Sequence, residues 1–219
     1  MKGAAQMLRR AEQRGLLDGK QLNRYVGMIE QTANRLANLT EDLLDVSRLQ
    51  QGQLPLRPRE TDVVALLAEV MTRLQEQGAG SSLVADLGCA PTLLLVDPDR
   101  IEQIIDNLLG NALKYSPDGG EIHVTLVSED DGVILRVRDS GIGLPAGVLE
   151  RIFEPFGRAA NPVSRNIEGL GLGLYICRQI AKQHGGHLWA ESAGEGQGTT
   201  LRLWLPLASP LADDAASDG

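Results

Sequence analysis

The sequence is poor in aromatic residues and cysteine, and it contains no long hydrophobic run. Aromatic residues make up 3% of the 219 residues, so a core must be built mainly from leucine, isoleucine, valine and alanine. The two cysteines, Cys89 and Cys177, share no motif with histidine or with each other, which predicts buried free thiols rather than a disulfide or a metal site. No stretch approaches the roughly 18 apolar residues of a membrane span, and no signal peptide opens the chain. We therefore expect a cytoplasmic chain without a membrane segment, with any anchor of a longer parent lying outside this sequence.

Positive charge is also scarce, because 21 basic residues stand against 29 acidic residues and the formal net charge is -8. This balance disfavours a nucleic-acid partner and gives no sign of attraction to a membrane surface. An anionic ligand would need a cation, or a few well-placed hydrogen-bond donors, to compensate its charge locally.

A heptad repeat of apolar residues runs through residues 22–49. With a shorter predicted helix over 2–14 and the connecting stretch RGLLDGK, it predicts a helical hairpin that occupies residues 1–52. Two helices alone bury too little apolar surface, so we expect the hairpin to form a homodimer; the alternative is a helical extension packed on its own domain. Two core positions of the repeat are filled by Leu22, Ile29, Leu36 and Leu43, and by Tyr25, Thr32, Leu39 and Val46.

Residues 53–208 show mixed strand and helix patterns and are predicted to form one α+β domain. The preceding stretch over 50–60 contains glycine and proline, which indicates a linker or a first edge strand. Residues 158–168 are expected to form a mobile loop, and residues 209–219 a disordered tail. The predicted helices cover 62–77, 98–115 (capped by Asp97), 146–153 and the segment opened by GLGLGL, and the predicted strands are SLVADL, TLLLV, EIHVTLV, GVILRVRDS, HLWAES and TLRLWLPL.

The predicted helix over 98–115 has two unlike faces. Asn107, Asn111 and Lys114 share its polar face with Gly110. Asparagine is a poor helix former, and a glycine inside a helix costs about 1 kcal/mol relative to alanine. A plain solvent face would tolerate any polar residue, so this set favours a ligand that approaches closely at Gly110. The apolar face is formed by Ile101, Ile104, Ile105, Leu108, Ala112 and Tyr115.

A carboxylate is predicted to point inward at the end of the strand GVILRVRDS. The strand alternates with a period of two, and Asp139 continues on the side of its apolar residues. Burying a carboxylate without hydrogen-bond donors is costly, so the backbone at Ser140 and Gly141, or a ligand, must supply them.

The glycine-rich run GLGLGL over residues 169–174 opens a predicted helix. Glycines at the amino terminus of a helix expose several N–H groups beside the positive end of the helix dipole, which suits a phosphate group. Such a run is weak evidence when it stands alone, and it gains weight only from the motifs around it.

Five motifs follow one another along residues 54–207. They are Asn107-x-x-x-Asn111 with Lys114-Tyr115, Asp139-x-Gly141-x-Gly143, Phe153-x-x-Phe156, Gly169-x-Gly171-x-Gly173 and the turn GEGQGTT. Together they resemble the N, G1, F, G2 and G3 boxes of the catalytic domain of sensor histidine kinases, and the preceding hairpin resembles that family's dimerisation and histidine-phosphotransfer domain. The resemblance implies an ATP-binding α/β sandwich of the Bergerat or GHKL type, in which three helices cover one face of a mixed sheet.

The resemblance also implies roles for these residues in binding ATP and Mg²⁺. Asp139 is similar to the residue that accepts a hydrogen bond from the adenine amino group, and Asn111 resembles the Mg²⁺ ligand. Asn107, Lys114 and Arg158 are implied as the catalytic residues on the phosphate side. The full implied nucleotide-binding set is Asn107, Asn111, Lys114, Tyr115, Asp139, Gly141, Ile142, Gly143, Phe156, Gly169, Leu170, Gly171, Leu172, Gly173, Leu174 and Thr199.

The amide at Asn107 favours phosphotransfer over hydrolysis. Related gyrase and Hsp90-type ATPases have a glutamate there that activates water, whereas asparagine cannot act as a general base. The resemblance thus implies a protein-histidine kinase whose phosphoryl group passes to an aspartate of a response-regulator receiver domain. Two alternatives remain open: a hydrolysing ATPase of the same superfamily, and a nucleotide-responsive interaction module without transfer.

The phosphoacceptor histidine of that family has no counterpart in the sequence. It lies in a box resembling His-Glu-Leu-Arg-Thr-Pro-Leu, shortly before a segment similar to the KGAAQMLRR with which this chain begins. His123 is expected on an exposed strand face, while His184 and His187 are expected to be structural. We therefore expect the chain to bind ATP and Mg²⁺ without accepting the phosphoryl group itself, as a truncated part of a longer kinase with a weakened dimer.

Overall fold

The computed structural model describes residues 19–51, 54–76, 82–88, 92–116, 119–129, 131–157 and 170–207. Several sequence predictions lie outside the described residues: the helix over 2–14, the loop over 158–168, the tail over 209–219, Cys89, Arg158 and Gly169. The chain divides into two compact units, residues 1–51 and residues 52–219.

In the first unit, one long helix, α1, covers Gly19–Gln50 and confirms the helix predicted from the heptad repeat. Leu22, Leu36 and Leu43, which share one heptad position, are 42%, 46% and 51% exposed. The repeat therefore forms an apolar stripe on the surface of this helix. Neither α1 nor any other helix within the described ranges has the length and apolar character needed to cross a membrane.

The second unit holds the strands and three further helices. Each predicted strand is confirmed, with its ends placed within two residues of the prediction. The strands are β1 (Arg59–Asp62), β2 (Ser82–Asp86), β3 (Leu93–Val96), β4 (Glu121–Glu129), β5 (Gly132–Arg138), β6 (His187–Glu191) and β7 (Thr200–Pro206). The helices are α2 (Val63–Glu76), α3 (Pro98–Tyr115) and α4 (Gly173–Gln183).

Five strands form a mixed sheet in the order β2-β4-β5-β7-β6. β2 runs parallel to β4, whereas the other neighbours are antiparallel, with Leu135 of β5 opposite both Leu126 and Leu203. β1 and β3 form a separate antiparallel ribbon. The stretch over 50–60 therefore leads into an edge strand that begins at Arg59.

The core lies between one face of the mixed sheet and the helices. Leu135 and Leu203 on that face line a small apolar cavity of ≈ 20 Å³ together with Leu67 of α2 and Ile105 of α3. α4 packs against α3 and β7, and its Cys177 is a buried free thiol, as predicted. This arrangement confirms the predicted α+β sandwich, a mixed sheet with three helices on one face.

An aspartate lies at the amino terminus of each of two helices that pack on the sheet, and its side chain bonds to N–H groups of the first turn. Asp62 precedes α2, and its carboxylate accepts a hydrogen bond from the Val64 N–H at 3.0 Å. Asp97 caps α3 as predicted and accepts hydrogen bonds from the N–H groups of Asp99 and Arg100 at 3.1 and 3.2 Å. Short acidic side chains satisfy the unpaired donors of a first helical turn, which explains where these helices start.

His184 joins the end of α4 to the start of α3. Its Nδ1–H donates to the Ile180 carbonyl at 2.8 Å, and its Nε2 accepts from the Asp97 N–H at 3.0 Å. Burial lowers the pKa of His184, an effect partly offset by the Ile180 hydrogen bond and the charge of Asp97. The predicted structural role of His184 is therefore confirmed, and His123 is exposed, as predicted. His187 is also exposed, and its ring stacks on Trp189 with the ring centres 4.8 Å apart.

The predicted helix over 146–153 was wrong. The segment forms two short 3₁₀ turns, Ala146–Val148 and Arg151–Phe153. Their hydrogen bonds span three residues, as from the Val148 N–H to the Pro145 carbonyl at 3.1 Å. A short segment with a glycine and two β-branched residues lacks the length and propensity for a stable α-helix, so tighter turns replace it.

Candidate functional site

The polar face of α3 is partly exposed along its whole length, as the helical periodicity predicted. Asn107, Gly110, Asn111 and Lys114 are each partly exposed. The Asn111 Nδ2 donates a long hydrogen bond of 3.4 Å to the Asn107 Oδ1. This contact sets the two amides side by side and turns the Asn111 carbonyl oxygen away from Asn107.

The first residue of α4 lies directly against the Asn107 side chain. A Cβ added to Gly173 would lie 2.3 Å from the Asn107 Oδ1 and 2.7 Å from its Nδ2. Only glycine allows this approach without moving the amide. The contact brings the GLGLGL run to the polar face of α3, and we call Asn107, Asn111 and residues 171–173 the amide end of the site.

Asp139 is buried at the end of β5, with 6% of its surface exposed. Its Oδ1 accepts hydrogen bonds from the Gly141 N–H at 2.8 Å and from the Thr199 N–H at 3.2 Å. Burial raises the pKa of Asp139, and the two backbone hydrogen bonds partly offset that rise. Among the described residues, both hydrogen bonds from other residues reach Oδ1, and the second carboxylate oxygen, Oδ2, receives none from another residue. The carboxylate is therefore oriented by the protein through one oxygen and open to a donor at the other.

The turn after Asp139 is joined to the last residues of α3. The Ile142 N–H donates to the Tyr115 carbonyl at 3.0 Å. A Cβ added to Gly141 would lie 2.0 Å from the same carbonyl oxygen, so the two backbones are in direct contact. This contact connects the buried carboxylate to the helix that carries the two asparagines.

The same turn is joined to the glycine-rich turn before β7. The Gly196 N–H donates to the Ile142 carbonyl at 2.7 Å, and the Gly198 N–H donates to the Gly141 carbonyl at 3.1 Å. Gly143 lies against the Gly194 carbonyl. We call Asp139, residues 141–143 and residues 192–199 the carboxylate end of the site.

Ser192 is an organising residue of the carboxylate end that the sequence analysis missed. Its hydroxyl donates to the Gly198 carbonyl at 2.6 Å and accepts from the N–H groups of Leu144 and Gly194 at 3.0 and 3.3 Å. One hydroxyl thus links both turns. A serine two residues before the first glycine of the GEGQGTT turn was the available signal, because short hydroxyl side chains commonly bond to the backbone of turns.

Tyr115 and Lys114 lie between the two ends of the site. The Tyr115 carbonyl belongs to the contact with the carboxylate end, and the Lys114 Nζ lies 5.2 Å from the centre of the Tyr115 ring. A cation over an aromatic face is a favourable arrangement. The ammonium group therefore lies near the residue whose carbonyl contacts the carboxylate end.

The other predicted nucleotide-binding residues that the structure describes differ in how far their side chains are exposed. In the glycine run, Leu170 is exposed, Leu172 is buried and Leu174 is partly exposed. Any contact of Leu172 with a ligand must therefore come from its backbone. In the motif Phe153-x-x-Phe156, the first ring is buried and the second is 62% exposed.

Most of the predicted site residues thus fall into two adjoining groups. The carboxylate end gathers Asp139, Gly141, Ile142, Gly143 and Thr199, and the amide end gathers Asn107, Asn111, Gly171 and Gly173. Arg158 and Gly169 lie outside the described residues, so their positions stay predictions. Within the described ranges, no group of three or more His, Cys, Asp or Glu could hold a metal ion, so a cation here would depend on amide and ligand oxygens.

Two protein families match this chain. The family described as Histidine kinase-, DNA gyrase B-, and HSP90-like ATPase matches residues 96–209. The family described as His Kinase A (phospho-acceptor) domain matches residues 1–52. The second match ends at the division between the two units of the chain, and the first match begins well inside the second unit.

Curated relatives resemble most of this chain over a minor part of their own length. The sensor histidine kinase WalK of Bacillus subtilis is 31% identical over 196 residues, which is 87% of this chain and 32% of WalK. The alginate biosynthesis sensor protein KinB of Pseudomonas aeruginosa is 38% identical over 181 residues, which is 82% of this chain and 30% of KinB. This chain therefore spans about a third of the length of these relatives.

Solved structures share the fold. Full-length ShkA in complex with AMPPNP superimposes with a TM-score of 0.72 at 26% identity, covering 88% of this chain and 40% of ShkA. The catalytic domain of histidine kinase ThkA superimposes with a TM-score of 0.60 at 27% identity, covering 69% of this chain and 98% of that domain.

The sandwich fold and the two adjoining ends of its site define a domain of the type shared by histidine kinases, gyrase B and HSP90. The chain belongs to that ATPase family and, within it, to the sensor histidine kinases of two-component systems.

Proposed function

We propose that this chain is the catalytic region of a protein-histidine kinase that binds ATP with Mg²⁺ and transfers the γ-phosphoryl group to a histidine. In that reaction the bond between the γ-phosphorus and the β,γ-bridging oxygen breaks, a phosphorus–nitrogen bond forms, and the imidazole N–H proton is released. The products are ADP and phosphohistidine. The observation that carries the proposal is Asp139, a buried carboxylate oriented at Oδ1 by two backbone donors and open at Oδ2.

The carboxylate end fits an adenine base. An open carboxylate oxygen in a buried place suits the exocyclic amino group of adenine, which must donate a hydrogen bond when it leaves water. Gly141 lets the turn pack directly against the Tyr115 carbonyl, and Thr199 fixes the carboxylate through its N–H. Ile142 and Gly143 complete the backbone of this turn.

The amide end fits the phosphate groups. Gly171 and Gly173 lie at the amino terminus of α4, where backbone N–H groups and the helix dipole favour an anion. Lys114 adds a positive charge on the facing side of α3. Asn111 supplies a carbonyl oxygen for Mg²⁺, an ion that prefers oxygen ligands and that, when bound, neutralises charge on the phosphates.

The identity of Asn107 supports transfer over hydrolysis. Its amide contacts Asn111 and Gly173 and has no basic atom that could activate water. Hydrolysis as the main activity is therefore not favoured. Arg158 is proposed to act on the phosphate side. The nucleotide-binding set is proposed to include Phe156, Gly169, Leu170, Leu172 and Leu174 as well.

We further propose that α1 pairs with a second copy of the chain and that a response-regulator receiver domain is the downstream partner. The exposed heptad stripe of α1 supports pairing, because Leu22, Leu36 and Leu43 would bury apolar surface in a helical bundle. Sedimentation velocity at increasing protein concentration tests this part, with Leu36→Glu expected to shift the population toward monomer.

Phosphotransfer in trans tests the proposed activity. The chain is incubated with Mg²⁺, γ-labelled ATP and a separately produced hairpin in which the box His-Glu-Leu-Arg-Thr-Pro-Leu precedes residues 1–52. Label is expected on this hairpin and absent from a control hairpin with the acceptor histidine changed to glutamine. Strong label on the chain itself would contradict the expected lack of an acceptor.

The same experiment separates the two alternatives. Steady phosphate release in the absence of the hairpin would support a hydrolysing ATPase. Calorimetry that detects no ATP binding would instead support an interaction module and would overturn both kinds of catalysis.

A further inference from the structure

Arg178 on α4 makes two contacts with the turn that carries the Phe153-x-x-Phe156 motif. Its Nη1 donates to the Glu150 Oε2 at 2.8 Å, and its guanidinium carbon lies 5.1 Å from the centre of the Phe153 ring. Glu150 is largely exposed, whereas Phe153 is buried. The Arg178 side chain thus contacts the turn at two places, the exposed Glu150 carboxylate and the buried Phe153 ring.

Short-range backbone hydrogen bonds also hold the turn, and the first of them runs from the Phe153 N–H to the Glu150 carbonyl at 3.1 Å. The Glu154 N–H donates to the Arg151 carbonyl at 3.1 Å, and the Gly157 N–H donates to the Glu154 carbonyl at 2.8 Å. Phe156 has a φ of 61°, a region that non-glycine residues seldom adopt. Its ring is nevertheless exposed to solvent. A bulky residue with this backbone and without a buried ring needs support from outside the turn.

Arg178 lies on the same helix as the glycines of the amide end. Helix α4 begins at Gly173, which contacts Asn107, and Arg178 follows five residues later. The guanidinium is therefore fixed to the element whose amino terminus belongs to the site. Through Arg178, the position of Phe156 becomes tied to the position of that terminus.

We propose that Arg178 is a positioning residue for phosphoryl transfer, which holds the 150–157 turn and its outward Phe156 in a fixed place relative to the amino end of α4. The proposal rests on the proposed kinase function for its effect on rate. It does not require Arg178 to touch the nucleotide, so the base and phosphate contacts stay intact when Arg178 is changed.

Three variants and one control test this role. Arg178→Ala removes both contacts, Arg178→Lys keeps a cation, and Glu150→Gln removes only the carboxylate on the exposed side. Lys182→Ala removes a positive charge from an exposed position one turn further along α4 and serves as the control. The full chain is used throughout, and ADP binding is measured by calorimetry for each variant.

The rate measurement separates binding from transfer. Initial rates of phosphotransfer to the separate acceptor hairpin are measured over a range of ATP concentrations. Arg178→Ala is expected to lower kcat by at least about 10-fold, with KM for ATP and Kd for ADP within about twofold of the parent. Arg178→Lys should recover part of the loss, Glu150→Gln should show a smaller loss, and Lys182→Ala should leave kcat unchanged. An unchanged kcat in Arg178→Ala, or a Kd that rises as much as kcat falls, would overturn the proposal.

Hydrogen exchange provides a measurement that does not depend on catalysis. The amides of Phe153, Glu154 and Gly157 are expected to exchange at least about 10-fold faster in Arg178→Ala, while the amides of β5 and β7 keep their rates. If the parent chain transfers no phosphoryl group, the proposed function fails, but the exchange rates still decide whether Arg178 holds the turn. Unchanged exchange at all three amides would overturn the proposal in either case.

Discussion

The two ends of the site are held together in different ways. At the carboxylate end, backbone groups of two turns bond directly, as from Gly196 to Ile142 at 2.7 Å, and the Leu144 N–H links the turns again by donating to the Ser192 hydroxyl at 3.0 Å. At the amide end, one hydrogen bond of 3.4 Å joins Asn111 to Asn107, and Gly173 packs against that amide without a directed bond.

The helices of the amide end are joined instead at their far ends. Asp97 caps the start of α3 and His184 follows the last residue of α4, and the Asp97 N–H donates to the His184 Nε2 at 3.0 Å. The carboxylate end is thus fixed locally, while the amide end is fixed from a distance. Such a division suits a site in which one end recognises a constant group through preformed donors and acceptors, and the other adjusts during a reaction.

Matched glycine-to-alanine changes should give the largest difference in stability between the two ends of the site. In Gly141→Ala the new Cβ meets a backbone oxygen of Tyr115 at 2.0 Å, which cannot yield without moving α3 or the turn. We expect a loss of about 3 kcal/mol in unfolding free energy and loss of nucleotide binding. In Gly173→Ala the obstacle is the Asn107 side chain, which can rotate, and alanine favours a helix. Stability should then change by less than about 1 kcal/mol while phosphotransfer falls sharply.

Urea denaturation and calorimetry with ADP measure both variants. Combining Gly173→Ala with Asn107→Ala removes the collision and serves as the matched control, since it should keep the stability of the single variant. Equal losses of stability in Gly141→Ala and Gly173→Ala would show that the two ends are equally rigid.

Removing the charge of Asp139 should affect nucleotide binding and protein stability in opposite directions. Asp139→Asn keeps an acceptor for the Gly141 and Thr199 N–H groups but replaces the open oxygen with an amide donor. ADP affinity is expected to fall by about 100-fold, the value of one charge-assisted hydrogen bond, as measured by calorimetry.

The thermal stability of Asp139→Asn should not fall at neutral pH and is expected to rise. Because burial raises the pKa of Asp139, the folded state binds this proton more tightly than the unfolded chain does. Stability is therefore lost as pH rises from the unfolded value of 3.8 through the higher folded pKa, and the cost is fully present above the folded pKa. A lower melting temperature in Asp139→Asn would mean that the carboxylate is kept for stability rather than for a ligand.

Ser192→Ala should loosen the carboxylate end by a smaller amount. It removes the acceptor of the Leu144 N–H, which joins the two turns, and the donor to the Gly198 carbonyl within the glycine-rich turn, while both turns keep their direct backbone bonds. We expect a loss of about 1–2 kcal/mol in unfolding free energy and about 10-fold weaker ADP binding. Ser140→Ala changes an exposed serine next to the same turn and should leave both quantities unchanged. A Ser192→Ala variant that binds ADP normally would remove Ser192 from the site.

Local periodicity was enough to predict much of this site. The period of β5 predicted the inward carboxylate of Asp139, the period of α3 placed Asn107, Asn111 and Lys114 on one face, and the cap at Asp97 followed from its position before Pro98. These features depend on residues a few positions apart. The same rule failed over 146–153, where a short segment formed 3₁₀ turns.

The partners of these residues could not be predicted because they come from distant parts of the chain. The Thr199 N–H that orients Asp139 is separated from it by 60 residues, and Ser192 lies 48 residues from its partner Leu144. Arg178 and Glu150 are separated by 28 residues. A single sequence gives the direction of a side chain along an element but not the neighbour that meets it across the fold.

The stability supplied by the Asp97–His184 hydrogen bond, which joins the far ends of α3 and α4, should depend on pH. We expect this effect to be the smallest of the series. The His184 Nε2 can accept the Asp97 N–H only when the imidazole is neutral, and burial lowers its pKa from 6.5. The stabilisation is therefore complete above pH 6.5 and is lost as pH falls from 6.5 toward the folded pKa, because the unfolded chain takes up the proton first. Unfolding free energy measured between pH 7.5 and about pH 5 should decline in the parent and in the control His187→Gln, and should decline less in His184→Gln. If His184→Gln leaves kcat unchanged while it removes this pH dependence, the far-end contact stabilises the fold but does not fix the amide end, and local contacts such as that of Gly173 must suffice.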